Sequence, residues 1–382
     1  MLLLAPSVIH CHCRNLERNG QIDPELLKEP SPETDLPSIS VRPQPLVSLR
    51  PHPYQIPLSK NFENSKNKYN NQKGVIVTIE TNNFIGKGEA VILKGFTHYT
   101  LQEIIWSMES FLSAIEKNEN YLLDELLMTV KIHCSETPTL QFAIETALYD
   151  IESQKKKVSI ARFFNKNSSD YVNCSQILIN RETQSRNNIN KIKIGVNRLE
   201  DDIKFLKKFY NKNSNKKIRL DANQLFSVNE FDNFYKQISN LNIDFFEEPL
   251  KNPTLEKINF IKSKYPKLNY ALDESIYQTK NYKSWIDKDL ISVLIIRPSI
   301  LGSYEKFFKL KKLYNKNLSI LISSSLENSI GNMAIIHLAS TLENQSKHGV
   351  NIFSFYDKFI IPPLYKNDRI NLQSTIGLGF KC

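Results

Sequence analysis

No stretch of this 382-residue chain approaches the roughly 18 consecutive apolar residues that a membrane span requires. The opening MLLLAPSVIHCHC (Met1 to Cys13) is too short for a secretory leader and has no basic start, so a secretory signal is not expected. Paired cysteines are also missing. The 5 cysteines are odd in number and widely scattered, which excludes a disulfide framework and favours a reducing compartment. His10 to Cys13 reads HCHC but lacks the paired spacing of a zinc site, and no second pair follows. The formal net charge is +10, yet no basic cluster carries it. Lysines are spread beside asparagines, as in KNFENSKNKYNNQK (Lys60 to Lys73), and read as solvated surface; no nucleic-acid partner is expected. A positive mouth would still favour a small anionic substrate.

What is present is ordinary globular usage, 41% hydrophobic and 24% charged. Residues 1–52 stand apart. They hold seven prolines before residue 50 and a single lysine, Lys28, without hydrophobic periodicity, and read as a flexible extension. Their acidic residues argue against a transit peptide. Two alternating runs follow, GVIVTIE (Gly74 to Glu80) and FIGKGEAVIL (Phe84 to Leu93), joined by a polar turn, and predict an antiparallel hairpin. Helical spacing then appears in LQEIIWSMESFLSAI (Leu101 to Ile115) and TLQFAIETALYDIESQ (Thr139 to Gln154). Strands before helices predict an α+β domain over residues 53–165.

From CSQILI (Cys174 to Ile179) the pattern changes to short apolar runs that each end in charge. Lys193, Asp221, Glu247, Asp273 and Arg297 close KIKIG, KIRLDAN, IDFFEEP, NYALDES and SVLIIRPS at intervals of 28, 26, 26 and 24 residues. That interval is one strand, one helix and two loops, the repeat of a parallel β/α barrel. LSILISSSLE (Leu318 to Glu327) supplies a seventh strand and GVNIFSF (Gly349 to Phe355) a weak eighth, giving a barrel over 166–356. Residues 357–382 are too few for another unit and are expected to pack back on the first domain.

Barrel chemistry gathers where strands end. Asp221, Glu247 and Asp273 on three successive strands give an all-oxygen, strongly anionic site suited to Mg²⁺. Asn223 shares a face with Asp221 and is expected to orient the site, with Arg219 as a further supporting residue. Glu248 and Glu274 should point away from the axis, toward the surface or a supporting pair, because side chains alternate along a strand. Lys191 and Lys193 alternate onto one face, where two neighbouring cations beside a metal would depress each other's pKa and yield a base near neutral pH. A cation facing a lysine base is the apparatus for removing a proton next to a carboxylate.

Taken together, KIK, RLDANQ, FFEEPL, ALDES, IRPSILGS and ISSSLENSIG (Ile322 to Gly331) resemble the enolase superfamily, and within it the o-succinylbenzoate synthase family. GKGEAVILKGFT (Gly86 to Thr97) and PTLQFAIETALYDIE (Pro138 to Glu152) resemble that family's capping-domain segments. The resemblance implies an N-terminal capping domain on a modified (β/α)7β TIM-type barrel. It also implies Mg²⁺-dependent syn dehydration of a cyclohexadiene carboxylate to 2-succinylbenzoate, a step of menaquinone and phylloquinone synthesis. Lys193 would be base and acid, Lys191 a charge stabiliser, the three carboxylates metal ligands, and Ser323, Ser324 and Ser325 the lining for the succinyl end. A bacterial cytoplasm or a plastid stroma would each suit such an enzyme.

One position departs from the family pattern. Arg297 stands where the family usually has lysine, and a guanidinium cannot act as a base. Racemising an N-succinylamino acid or epimerising a dipeptide needs a proton acceptor on each face, whereas syn elimination needs one, so Arg297 favours dehydration. A non-catalytic relative that has lost the second lysine is the remaining alternative.

Overall fold

The structure is a computed structural model describing residues 44–63, 68–115, 120–178, 181, 184–313, 317–342, 346–356, 365–366 and 368–380. Its first sheet contains β1 (Gln44–Glu63), β2 (Lys68–Thr81), β3 (Ile85–Ile92) and β4 (Asn120–Tyr121), in the order β3-β2-β1-β4. The expected hairpin is β2 and β3, paired antiparallel from Lys73↔Ile92 to Glu80↔Ile85. β1 begins at Gln44, inside the segment expected to be an extension; residues 1–43 of that segment lie outside the described residues. Three helices follow, α1 (Leu101–Ile115), α2 (Leu123–His133) and α3 (Pro138–Lys155).

α3 is the keystone. Every residue from Thr139 to Ser153 is buried, the polar Gln141, Glu145 and Asp150 among them. One side meets β3 with almost no space between backbones: a Cβ on Gly88 would fall 1.8 Å from the carbonyl oxygen of Ala143. The other side meets the barrel, where Phe142 stacks on Tyr304 with ring centroids 5.3 Å apart and Glu145 accepts the Tyr304 amide at 2.9 Å. The helix therefore fixes the first sheet relative to the strand ends that carry the charged residues.

β5 (Tyr171–Asn173) stands outside the barrel and pairs with the C-terminal β13 (Tyr365–Lys366) and β14 (Arg369–Asn371) in the order β13-β14-β5. Among the described residues the barrel sheet comprises β6 (Gln176–Leu178), β7 (Ile189–Lys193), β8 (Lys217–Asp221), β9 (Ile243–Glu247), β10 (Tyr270–Leu272), β11 (Val293–Ile296) and β12 (Ser319–Ile322), all parallel and in sequence order. The weak eighth run does not form a strand; Phe353–Phe355 is a 3₁₀ turn. Closure is made by two residues instead. His348 bridges to Cys174 beside β6, and Gly349 bridges to Ser323 beside β12. No helix among the described residues is long and apolar enough to cross a membrane. The C-terminal residues return to α3: Leu378 N donates to Asp150 Oδ1 at 2.9 Å, and Gly377 exchanges backbone bonds with Val158 and Ile160.

A second tie crosses from the first sheet to the barrel. Glu89 of β3 is buried and accepts the amides of Asn328 (2.7 Å) and Gly331 (2.8 Å), at the start of the helix Ser329–Ser340, and the hydroxyl of Tyr54. Burial raises its carboxyl from 4.5 to about 7 against the pull of these donors. The native state therefore holds a proton that the unfolded chain has released. This contribution to stability is complete below pH 4.5 and is lost as pH rises through 7. Relative to Glu89→Gln, the wild type is expected to lose about 3 kcal/mol of unfolding free energy between pH 5 and pH 8. Urea unfolding of both proteins across that range measures it, and a difference that does not change with pH would contradict the assignment.

Candidate active site

The strand ends bring the periodic charged residues to one mouth. In the β7–β8 register Lys191 lies beside Arg219 and Lys193 beside Asp221; in β8–β9, Asp221 lies beside Glu247. Lys191 Nζ bridges two carboxylates, at 2.6 Å from Glu247 Oε2 and 3.0 Å from Asp221 Oδ2. Lys193 Nζ lies 3.2 Å from the same Asp221 oxygen and 3.1 Å from Asn223 Oδ1. Asn223 has a left-handed backbone (φ 48°), which lets its amide reach Asp221 Oδ1 at 3.1 Å while its side chain donates to Glu274 Oε1 at 2.6 Å. Arg297, just past β11, grips Asp273 with two parallel bonds, Nε to Oδ1 at 2.9 Å and Nη2 to Oδ2 at 2.6 Å.

At the mouth, the surroundings of Lys191 are dominated by buried carboxylates. Burial would lower the Lys191 pKa, but Asp221, Glu247 and Asp273 overrule it and raise it. The nearest charges to Lys191 are carboxylates rather than its fellow lysine. Asp221 is held well below the usual carboxylate range: burial opposes this, and Lys191 and Lys193 prevail. Glu247 moves the other way, driven up by burial and by the Asp221 charge.

Of the two places expected for Glu248 and Glu274, the surface or a supporting pair, the structure gives the second, since both are buried and hydrogen-bonded. In a β/α barrel the outer face of each strand is covered by helices and loops, so pointing away from the axis does not lead to water. Glu248 accepts the amides of Asp273 (2.9 Å) and Ser275 (2.8 Å) and the Ser275 hydroxyl (2.8 Å), which fixes the loop after β10. Burial pushes its carboxyl up to about 7. Arg219 pairs with Asp244 at 2.8 Å and donates to the Lys347 carbonyl, one pleat below the mouth. Ser323 and Ser324 line the cleft, whereas Ser325 is fully buried, with its hydroxyl against Ser299 and its amide on Glu327.

Above the strand ends lies a cleft of about 530 Å³, open in part to solvent. Its polar wall is Lys191, Lys193, Asn223, Arg297, Ser323 and Ser324. Its apolar wall comes from two parts of the chain: Tyr69, Leu93 and Phe96 in and beside the N-terminal sheet, with Ile352 and Phe355 from the closing segment. Sequence reasoning did not single out Phe96, whose ring covers the Arg297 guanidinium at 4.7 Å. The only signal for it was its place directly after an apolar strand, in KGFT.

The donor chemistry suits a hard divalent ion. The Lys191 ammonium sits between Asp221 and Glu247, so these two carboxylates already converge on a point occupied by a cation. Glu247 Oε2, though beside that ammonium, has no well-directed hydrogen bond. Asp273 differs in its partner, because a guanidinium, that of Arg297, holds its two oxygens through two parallel bonds. As the side chains stand, among the described residues no three His, Cys, Asp or Glu groups are arranged to hold one ion. Asp221 and Glu247 fit such an ion in kind and position, and Asp273 fits it in kind.

Residues 180–382 match the Enolase C-terminal domain-like family. The L-Ala-D/L-Glu epimerase of Francisella tularensis subsp. novicida is 21% identical over 360 residues, 88% of this chain and 99% of the relative. The o-succinylbenzoate synthase of Proteus mirabilis is 24% identical over 309 residues, 78% of this chain and 88% of the relative. A similar fold is seen in the dipeptide epimerase from Enterococcus faecalis V583 complexed with Mg and the dipeptide L-Leu-L-Tyr (TM-score 0.76, 20% identity, 88% of this chain and 99% of that one). The muconate lactonizing enzyme from Pseudomonas fluorescens is comparable (TM-score 0.76, 16% identity, 88% and 96%). With the family match, the seven parallel staves under an antiparallel cap and the charged strand ends at one mouth, the chain belongs to the enolase superfamily.

Proposed function

We propose that the protein is a Mg²⁺-dependent lyase that converts 2-succinyl-6-hydroxy-2,4-cyclohexadiene-1-carboxylate to 2-succinylbenzoate by syn elimination of water. The observation that carries this reading is the one-sided distribution of proton-exchanging groups. Lys193 ends β7, and Arg297, which follows β11 and is separated from it by β8, β9 and β10 in the sheet, stays protonated and is committed to Asp273. A reaction that needs an acceptor on both faces of the substrate carbon is poorly served; one that needs a single group is not.

Asp221 and Glu247, joined by Asp273, would hold the divalent ion. When bound, it supplies positive charge against the substrate carboxylate. Lys193 takes the proton from the ring carbon that bears that carboxylate and returns it to the departing hydroxyl, so the products are water and the aromatic acid. Asn223 orients the Lys193 ammonium, and Lys191 and Arg297 add positive charge as the ring becomes anionic. Phe96, Leu93 and Phe355 give the ring an apolar wall, and Ser323 and Ser324 face the succinyl chain. Among the described residues, none of those lining the cleft is acidic, so they offer no partner to a free ammonium group such as that of a dipeptide.

The test is turnover by the purified chain with Mg²⁺, followed by ultraviolet absorbance as the ring becomes aromatic. Dipeptides and N-succinylamino acids are incubated in parallel in D₂O. Dehydration at an enzymatic rate with negligible α-deuteration of both enantiomers is expected. Deuterium entering both enantiomers of a dipeptide or N-succinylamino acid, without dehydration, would replace this reading with an epimerase or racemase.

A further inference from the structure

All three nitrogens of the Arg297 guanidinium are occupied. Nε and Nη2 bond the two oxygens of Asp273 in parallel, and Nη1 donates to the carbonyl of Ser324. The Phe96 ring lies over the guanidinium at 4.7 Å, and the Arg297 amide is held by the Tyr277 hydroxyl at 2.8 Å. The Asp273 side chain is fully buried and that of Arg297 nearly so. Parallel, charge-assisted bonds in such a dry setting are among the stronger polar contacts a protein makes. Asp221 and Glu247 meet ammonium groups instead, Glu247 that of Lys191 and Asp221 those of Lys191 and Lys193, and neither is held in a planar two-point contact.

We infer that Arg297 is a built-in competitor for Asp273: the guanidinium and the divalent ion vie for the same two oxygens, so Arg297 weakens ion binding and leaves Asp221 and Glu247 as the dominant ligands. The inference rests on the metal reading above. An ion that recruits Asp273 must displace at least one of the two parallel bonds. Lysine in this place would keep the positive charge but could not make the planar two-point contact, so it would yield Asp273 more readily.

The test measures ion affinity rather than turnover. Mn²⁺ is titrated into the full chain, and the free ion is followed by electron paramagnetic resonance, for wild type, Arg297→Lys, Asp273→Asn and the double variant. Circular dichroism confirms that each is folded. Arg297→Lys is expected to bind Mn²⁺ about tenfold more tightly, and because charge is conserved the gain reports the loss of the grip. Asp273→Asn is expected to weaken binding by less than about tenfold in the wild type and by more in the lysine background. The second comparison does not require Arg297→Lys to fold, since a loss of about tenfold or more in the wild type alone would show that Asp273 is already a full ligand. Equal or weaker affinity in Arg297→Lys would overturn the inference and leave the metal site standing. Absence of Mn²⁺ binding in every protein would remove the metal reading and the inference with it.

Discussion

Lys193→Ala is expected to lower turnover by about 10³-fold, with a far smaller change in KM. The ammonium lies at the cleft mouth, 3.2 Å from Asp221 and 3.1 Å from Asn223, on the strand end that shares the substrate space with Arg297. Its removal does not strand a buried charge, because Asp221 keeps Lys191 at 3.0 Å. Unfolding free energy should therefore change little, in contrast to Lys191→Ala, which takes the bridging cation from both Asp221 and Glu247 and is expected to cost several kcal/mol. Lys193→Arg separates charge from proton transfer: it keeps the cation and removes the base. Steady-state kinetics should find it nearly as inactive as the alanine variant. Retention of wild-type turnover by Lys193→Arg would transfer the proton chemistry elsewhere.

Removing divalent metal is expected to have an effect of similar size. Treatment with a chelator should reduce turnover by about 10³-fold or more, and Mg²⁺ should restore it. The cause is the charge balance at the mouth. Asp221 and Glu247 are buried anions with Lys191 between them and Lys193 beside Asp221; an ion held by these carboxylates would supply the positive charge that the substrate carboxylate needs. Titration of activity with Mg²⁺ after chelation measures the effect, and full activity in exhaustively chelated protein would contradict it.

Much of this architecture was legible in the sequence because its signals are local. A charged residue closing an apolar run marks a strand end, and a nearly constant interval between such residues marks a repeat; β7, β8 and β9 end on Lys193, Asp221 and Glu247, and β10 and β11 end one residue before Asp273 and Arg297. Helical spacing in Thr139 to Gln154 identified a helix but not that it would be wedged between the N-terminal sheet and the barrel. What could not be read is which charges face one another. Spacing placed Lys191 and Lys193 on one face, whereas three-dimensional neighbours make carboxylates the dominant influence on Lys191. Strand alternation correctly separated Glu247 from Glu248, yet could not tell that the outer face is also dry. The grip of Arg297 on Asp273 spans two adjacent strands, the closing bridge at His348 and Gly349 involves two residues only, and Phe96 reaches the site from beside the N-terminal sheet. None of these leaves a periodic trace.

The central claim is that Asp221, Glu247 and Asp273 belong to one divalent-ion site facing a lysine base. It is tested most directly by anomalous diffraction from a crystal of the full chain soaked in Mn²⁺. The account predicts one strong peak between the ends of β8 and β9, within coordination distance of Asp221 and Glu247 oxygens and on the side facing Asp273. A crystal that takes up Mn²⁺ only at other positions, with Lys191 still bridging Asp221 and Glu247, would contradict it.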